Sequence, residues 1–208
     1  ALPIFAAIAV GQREWAAKNP VAQFKTPLTV ADHQASPLVA DPLHLLDCCL
    51  VSNGGAAVII TSAERARDLA QPSVEVLGWG QAHPGQVMHR GSSFGLKTGA
   101  AVAGPAALRM AGVTVDDVDL LELYDSYTYT VLVTLEDYGF CPKGEGGKFV
   151  SDGKLGPGGS LPCNTGGGQL SSYYLTGFTP IVEAVIQGRG HAGERQVGKK
   201  DVIMVSGS

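Results

Sequence analysis

The stretch Asp119-Leu120-Leu121-Glu122-Leu123-Tyr124-Asp125-Ser126-Tyr127-Thr128-Tyr129 decides the fold. Its first part, with Val118 before it, is an apolar run of strand length. That run passes without a linker into Tyr124-Asp125-Ser126. Residues 127–138 follow and carry two signals. Thr128, Thr130, Val131, Val133 and Thr134 are β-branched and favour a strand. The length of the segment and its stop at Gly139 favour a helix. A helix is the better reading, because Asp125 or Ser126 can cap it.

Outward from this point, strands and helices alternate. Residues 1–40 read as irregular, broken by Pro3, Pro20, Pro27 and Pro37, with helical potential over residues 12–18. After Asp41-Pro42, residues 43–51 read as a short buried helix that Gly54-Gly55 ends. Residues 56–61 are continuously apolar, as in a strand covered on both faces. A surface helix over 62–69 and a strand over 74–79 come next. Residues 105–111 read as a helix stopping at Gly112, and Thr114 caps a short turn. Residues 144–159 read as a polar loop and 161–163 as a short strand. A helix over 171–187, interrupted near Pro180, and a strand over 202–205 complete the chain. This order predicts an α/β layered domain with a mostly parallel sheet covered by helices.

The chain has 208 residues, 45% of them hydrophobic, which suffices for one domain or slightly more. Charged residues make up 16%, below the usual ~25%, so part of the surface is expected to be hidden against another copy or another protein. A net charge of −4 gives no basic footprint for nucleic acid. No apolar run is long enough to span a bilayer. The chain opens on Ala1, in apolar sequence, and reads as a piece of something longer. Cys48 and Cys49 read as small core residues, Cys141 precedes Pro142, and Cys163 reads as a buried strand-end thiol. No ligand spacing predicts a metal, and the free thiols fit a reducing, cytoplasmic setting.

All six tyrosines fall between Tyr124 and Tyr174. A phenol can donate and accept a proton, but it titrates near ~10. Two convergent phenols suit proton transfer to oxygen or to an enolate carbon, rather than acyl transfer through a thiol. The alternative is that the tyrosines only pack. The second cluster follows the glycine loop in Asn164-Thr165-Gly166-Gly167-Gly168-Gln169-Leu170-Ser171-Ser172-Tyr173-Tyr174-Leu175-Thr176-Gly177. Gly166, Gly167 and Gly168, between a strand and a helix, suit close backbone approach to a ligand. His83 and His89 are loop histidines, either catalytic or simply solvated.

Several stretches together carry a family resemblance. They are Asp41-Pro42-Leu43-His44-Leu45, Ser52-Asn53-Gly54-Gly55-Ala56-Ala57-Val58, Asp119 through Asp125, Tyr138-Gly139-Phe140-Cys141-Pro142-Lys143-Gly144-Glu145-Gly146, and Asn164 through Gly177. In this order they resemble thiolases of the sterol-carrier, lipid-transfer-protein branch. The resemblance implies that residues 1–40 end a loop domain. It implies that 41–72 close the N-terminal half, and that 73–208 are most of the C-terminal half, short of its last strand. Such thiolases carry histidines where this chain has Tyr124 and Tyr174, and their nucleophilic cysteine lies in the half not represented here. A tyrosine activates a thiol poorly, since about one in a thousand is ionised at neutral pH.

The tyrosine-for-histidine pattern is similar to that of thiolase-like aldolases of steroid side-chain degradation. What it implies is cleavage of a β-hydroxyacyl-CoA to a ketone and a shorter acyl-CoA. Tyr124 and Tyr174 would exchange the protons, and Gly166, Gly167, Gly168 and Tyr173 would line the substrate and its coenzyme A. No cofactor beyond that coenzyme A is implied. For Asp125 two readings stand: a group that orients Tyr124 or a water, and a helix cap. The resemblance further implies a homodimer and a small OB-fold partner of the DUF35 type. Two other functions remain open, an acyl-CoA acyltransferase and a non-catalytic acyl-CoA carrier.

Overall fold

The computed structural model describes residues 2–83 and 95–207. His89 lies outside these residues. At the centre is a parallel ladder. Strand β3 (Leu120–Glu122) pairs with β4 (Ile203–Val205) in the register Leu120↔Ile203, Leu121↔Met204 and Glu122↔Val205. On its other side Leu121 forms a parallel bridge to Cys163. All three residues of β3 are buried, which is why the run reads as unbroken apolar sequence around one glutamate. Leu121 and Leu123 join Ile8, Val131, Leu135 and Met204 in the main core. Leu120 packs with Trp15, Val197 and Ile203.

Helices cover this ladder, giving the α/β layered arrangement. Helix α1 (Leu2–Ala17) bears out the helical potential over residues 12–18 but starts far earlier, in a stretch expected to be irregular. Pro3 falls in its first turn, where no helical N–H is needed, so it does not interrupt the helix. Phe5, Ile8, Gln12, Arg13, Trp15 and Ala16 are all buried, so α1 is a core helix. Helix α2 (Val30–Ala35) begins with a reciprocal cap between Thr29 and Asp32. Strands β1 (Leu38–Ala40) and β2 (Leu43–His44) form a small antiparallel pair. A 3-10 turn, Leu45–Asp47, follows, so residues 43–51 are not the helix expected. Cys48 and Cys49 after it are half-buried rather than core.

Residues 56–61 and 74–79, read as strands, form no ladder with any described residue, and Ile59, Ile60 and Trp79 are exposed. An apolar run is a strand only where a partner backbone meets it. Helix α3 (Ala63–Ala66) is shorter than expected. Helix α4 (Ala100–Ala111) starts ahead of Pro105 and ends at Gly112 in the left-handed region. Helix α5 (Thr128–Tyr138) confirms the helical reading of the β-branched segment. Burial of Thr128, Val131, Val133 and Thr134 on the core side of the helix overrides their strand preference. Helix α6 (Gly146–Val150) interrupts the stretch read as a loop. The expected helix over 171–187 is two elements. A π-helical turn, Gly168–Ser172, is followed by an extended link and by α7 (Phe178–Gly188), which holds Pro180 in its first turn. Among the described residues, no helix is long and apolar enough to cross a membrane.

Candidate functional site

The β3 strand delivers Tyr124, and the link after the π-helical turn delivers Tyr174. Their hydroxyls lie 2.9 Å apart in a direct hydrogen bond, with the rings tilted at 56° and centroids separated by 6.4 Å. Two residues fifty positions apart are thus in contact at their reactive atoms. Burial pushes the Tyr124 phenol above its ordinary range, and the Tyr174 hydroxyl adds to the shift. Tyr124 therefore holds its proton at neutral pH.

A third segment, residues 48–52, lies between the two loops. The Cys49 amide donates to the Ser126 carbonyl at 3.0 Å, and the Leu50 amide donates to the Gln169 carbonyl at 2.9 Å. The Tyr174 amide donates to Ser52 Oγ at 3.1 Å. Burial and the nearby Asp125 raise the Cys49 thiol. Sequence reasoning missed this segment, since its role lies in backbone bonds that no motif records.

Asp125 does not cap α5. Tyr127 occupies that position, and its amide donates to Thr130 Oγ1 at 3.1 Å. Asp125 is fully buried and accepts the Gln169 amide at 2.9 and 3.0 Å and the Leu170 amide at 3.2 Å. It ties the end of β3 to the π-helical turn. Burial lifts its pKa to about 7, against the pull of the two amides. A carboxyl raised in the folded state stabilises the fold below the unfolded value, near ~3.9. That stability is lost as pH rises toward 7. Asp125→Asn should therefore flatten the decline in stability between about pH 4 and pH 7, read by urea unfolding. An unchanged slope would show that Asp125 is ionised across the whole window.

The three loop glycines are buried, and each faces a neighbour of this chain. A Cβ on Gly166 would sit 3.0 Å from Glu183 Oε2. One on Gly167, at φ +97°, would sit 2.6 Å from Ala16 Cβ. One on Gly168, at φ +60°, would overlap Asp125 Oδ2. Close approach is the reason for glycine, as expected, but the groups approaching are α1, Asp125 and α7. Behind the loop is a cavity of about 10 Å³, room for one water, lined by Glu122, Asp125, Asn164, Tyr173 and Glu183. Glu122 is buried there, and burial together with Glu183 pushes its carboxyl well above the usual carboxylate range.

Tyr173 is extended, at φ −161° and ψ 156°. Successive residues of an extended chain point to opposite sides. Tyr174 meets Tyr124, while Tyr173 and Leu175 line a groove of about 470 Å³ with Val21, Gln23, Asn53 and Ala56. Cys163 is buried, and its thiol is raised well above the ordinary value, first by burial and then by Glu122 and Asp125. It is not built as a nucleophile. His83 is exposed and contacts Gln81 at 2.7 Å. Among the described residues no cluster of His, Cys, Asp and Glu could hold a metal ion.

The family model described as thiolase C-terminal domain-like matches residues 80–208. A 17-hydroxy-3-oxo-4-pregnene-20-carboxyl-CoA lyase of Mycobacterium tuberculosis is 40% identical over 98% of this chain and 54% of its own length. An acetyl-CoA acetyltransferase of Methanothermobacter thermautotrophicus is 37% identical over 96% of this chain and 53% of its own. A solved structure of an Ltp2-ChsH2(DUF35) aldolase superposes with a TM-score of 0.90 at 39% identity, over 96% of this chain and 53% of that one. The chain thus spans about half the length of the curated relatives it matches.

Proposed function

We propose that this chain, which belongs to the thiolase C-terminal domain-like family, is the tyrosine-bearing part of an aldol lyase acting on β-hydroxyacyl-CoA thioesters. One observation carries the reading: the 2.9 Å contact between Tyr124 and Tyr174, two positions where the family resemblance implies histidines in thiolases. An acyltransferase reading must explain how a phenol would activate a thiol in place of an imidazole. The lyase reading needs no thiol.

The reaction balances with both tyrosines neutral at the start and at the end. One phenol oxygen takes the proton of the substrate β-hydroxyl. Its own proton crosses the 2.9 Å contact to the second phenol. The proton of the second phenol goes to the α-carbon as the Cα–Cβ bond breaks. The β-carbon leaves as a ketone, and the α-carbon leaves in a shorter acyl-CoA. A placed acid or base commonly contributes ~10²–10⁴-fold in such a step. Donors to the thioester oxygen would stabilise the enolate that forms on the way.

The M. tuberculosis relative is named for a steroid carboxyl-CoA, and the solved aldolase is named with a DUF35 component. These names support a steroid-type acyl group and a DUF35-type partner, which the family resemblance implies to be a small OB-fold protein. Self-association of the full-length protein rests on the low charged fraction of 16%, and a reducing compartment on the free thiols. The test is incubation of the full-length protein and its partner with a β-hydroxyacyl-CoA and no free CoA. A ketone and a shorter acyl-CoA are expected in equal amounts. Cleavage that requires free CoA would favour the acyltransferase.

A further inference from the structure

Apart from the Tyr124–Tyr174 contact, the chain holds a polar cluster with no surface exposure. His33 and Asp47 are both fully buried, and His33 Nε2 lies 2.8 Å from Asp47 Oδ1. Thr128 Oγ1, also fully buried, donates to the same oxygen at 2.6 Å. The His44 amide donates to Asp47 Oδ2 at 2.8 Å. Burial would raise this carboxyl, but His33, Thr128 and the His44 amide together hold it below its ordinary value. A buried carboxylate is costly unless its lone pairs are satisfied, and here they are. Neither the main core nor the lyase chemistry accounts for the cluster.

Its place in the chain suggests a use. Asp47 begins the segment that runs between the two tyrosine loops, and Thr128 begins α5 just after Tyr124-Asp125-Ser126-Tyr127. The Asp47–Thr128 bond therefore fixes where these two segments start side by side. Cys48 then bridges Tyr127, Cys49 bonds Ser126, Leu50 bonds Gln169, and Ser52 accepts the Tyr174 amide. At the far end Gln23 Nε2 donates to Ser52 Oγ at 2.8 Å. The segment is pinned at both ends, and it touches both tyrosine loops through its backbone.

We propose that residues 47–52 form a strap that sets the Tyr124–Tyr174 separation, and that His33, Asp47 and Thr128 are positioning residues for the pair. The proposal rests on the lyase reading for its catalytic consequence, but not for its geometry. Relayed proton transfer depends steeply on the donor–acceptor distance, and a misplacement near 1 Å can cost about 10²-fold.

The test is Thr128→Val in the full-length protein with its partner, alongside Thr128→Ser. Valine keeps the branched shape and removes the donor to Asp47, whereas serine keeps the donor. In a crystal structure of the valine variant, the two phenol oxygens should move beyond hydrogen-bond reach, past ~3.5 Å. Its kcat should fall roughly ten- to a hundredfold with KM within about twofold. The serine variant should recover most of the rate. An unchanged oxygen separation, or a lower melting temperature with unchanged kcat, would overturn the proposal. If the valine variant does not fold, Ser52→Ala frees the other end of the strap, and unaltered tyrosine geometry there would overturn it equally. Absence of turnover in the wild type would count against the lyase reading, and the crystallographic distance would still decide the strap.

Discussion

Removing either phenol hydroxyl abolishes carbon–carbon cleavage while leaving substrate binding nearly intact: this is the expected result for Tyr124→Phe and for Tyr174→Phe. In the proposed relay each phenol is one station, and the two hydroxyls contact each other directly at 2.9 Å. Proton transfer by a placed side chain is worth ~10²–10⁴-fold in rate. A lost hydroxyl contact costs binding only about 0.5–1.5 kcal/mol. The fall in kcat should therefore exceed the rise in KM by an order of magnitude or more. Phenylalanine keeps the tilted ring contact, so packing survives. The double variant should be little worse than either single one, because residues that act as a unit are not additive. Near wild-type turnover in both single variants would make the tyrosines packing residues and would favour the carrier reading.

The largest effect on stability is expected behind the site, at Arg195. Its guanidinium grips Glu183 with two bonds, Nε to Oε1 at 3.0 Å and Nη2 to Oε2 at 3.1 Å, and both residues are buried. Glu183 Oε1 also lies 3.0 Å from Thr165 Oγ1, which is 2.8 Å from Glu122 Oε1. Two carboxyls thus share one hydroxyl; the Thr165 amide and Gln187 Nε2 also donate to them, and Arg195 is the cation paired with Glu183. Arg195→Met should cost roughly 3–5 kcal/mol, because it strands a buried charge beside a second acid. Adding Glu183→Gln should recover much of that loss. The measurement is urea unfolding of the full-length protein. A loss under about 1 kcal/mol would mean that Glu183 is already neutral. Since Thr165 and Glu183 also border the glycine loop, the Arg195 variant should lose activity as the loop loosens.

Much of the frame was legible in the sequence. Leu120 and Leu121 announced a buried strand, Gly139 the end of α5, and residues 202–205 the partner strand. The tyrosines stood out because family positions gave them a comparison. What was hidden depended on partners distant in the chain. The three loop glycines suggested a ligand, but their close neighbours are Ala16, Asp125 and Glu183. Asp125 looked like a cap because caps are local, whereas its amides come from residues 169 and 170. Pro3 concealed α1, although a proline in a first turn is harmless. The run over 56–61 showed the opposite error, since apolar composition cannot show whether a backbone partner is present. His33 and Asp47 left no motif, being fourteen residues apart and joined by folding alone.

The central claim is that the tyrosine pair carries the β-hydroxyl proton to the α-carbon. It is tested most directly by running the CoA-free cleavage in deuterium oxide with the full-length protein and its partner. The substrate hydroxyl and both phenols exchange with solvent, so the relay delivers a solvent hydrogen. The account predicts one deuterium on the α-carbon of the shorter acyl-CoA and no acyl group left on the protein. Cleavage only after free CoA is added, with an acyl group captured on a protein thiol, would contradict it.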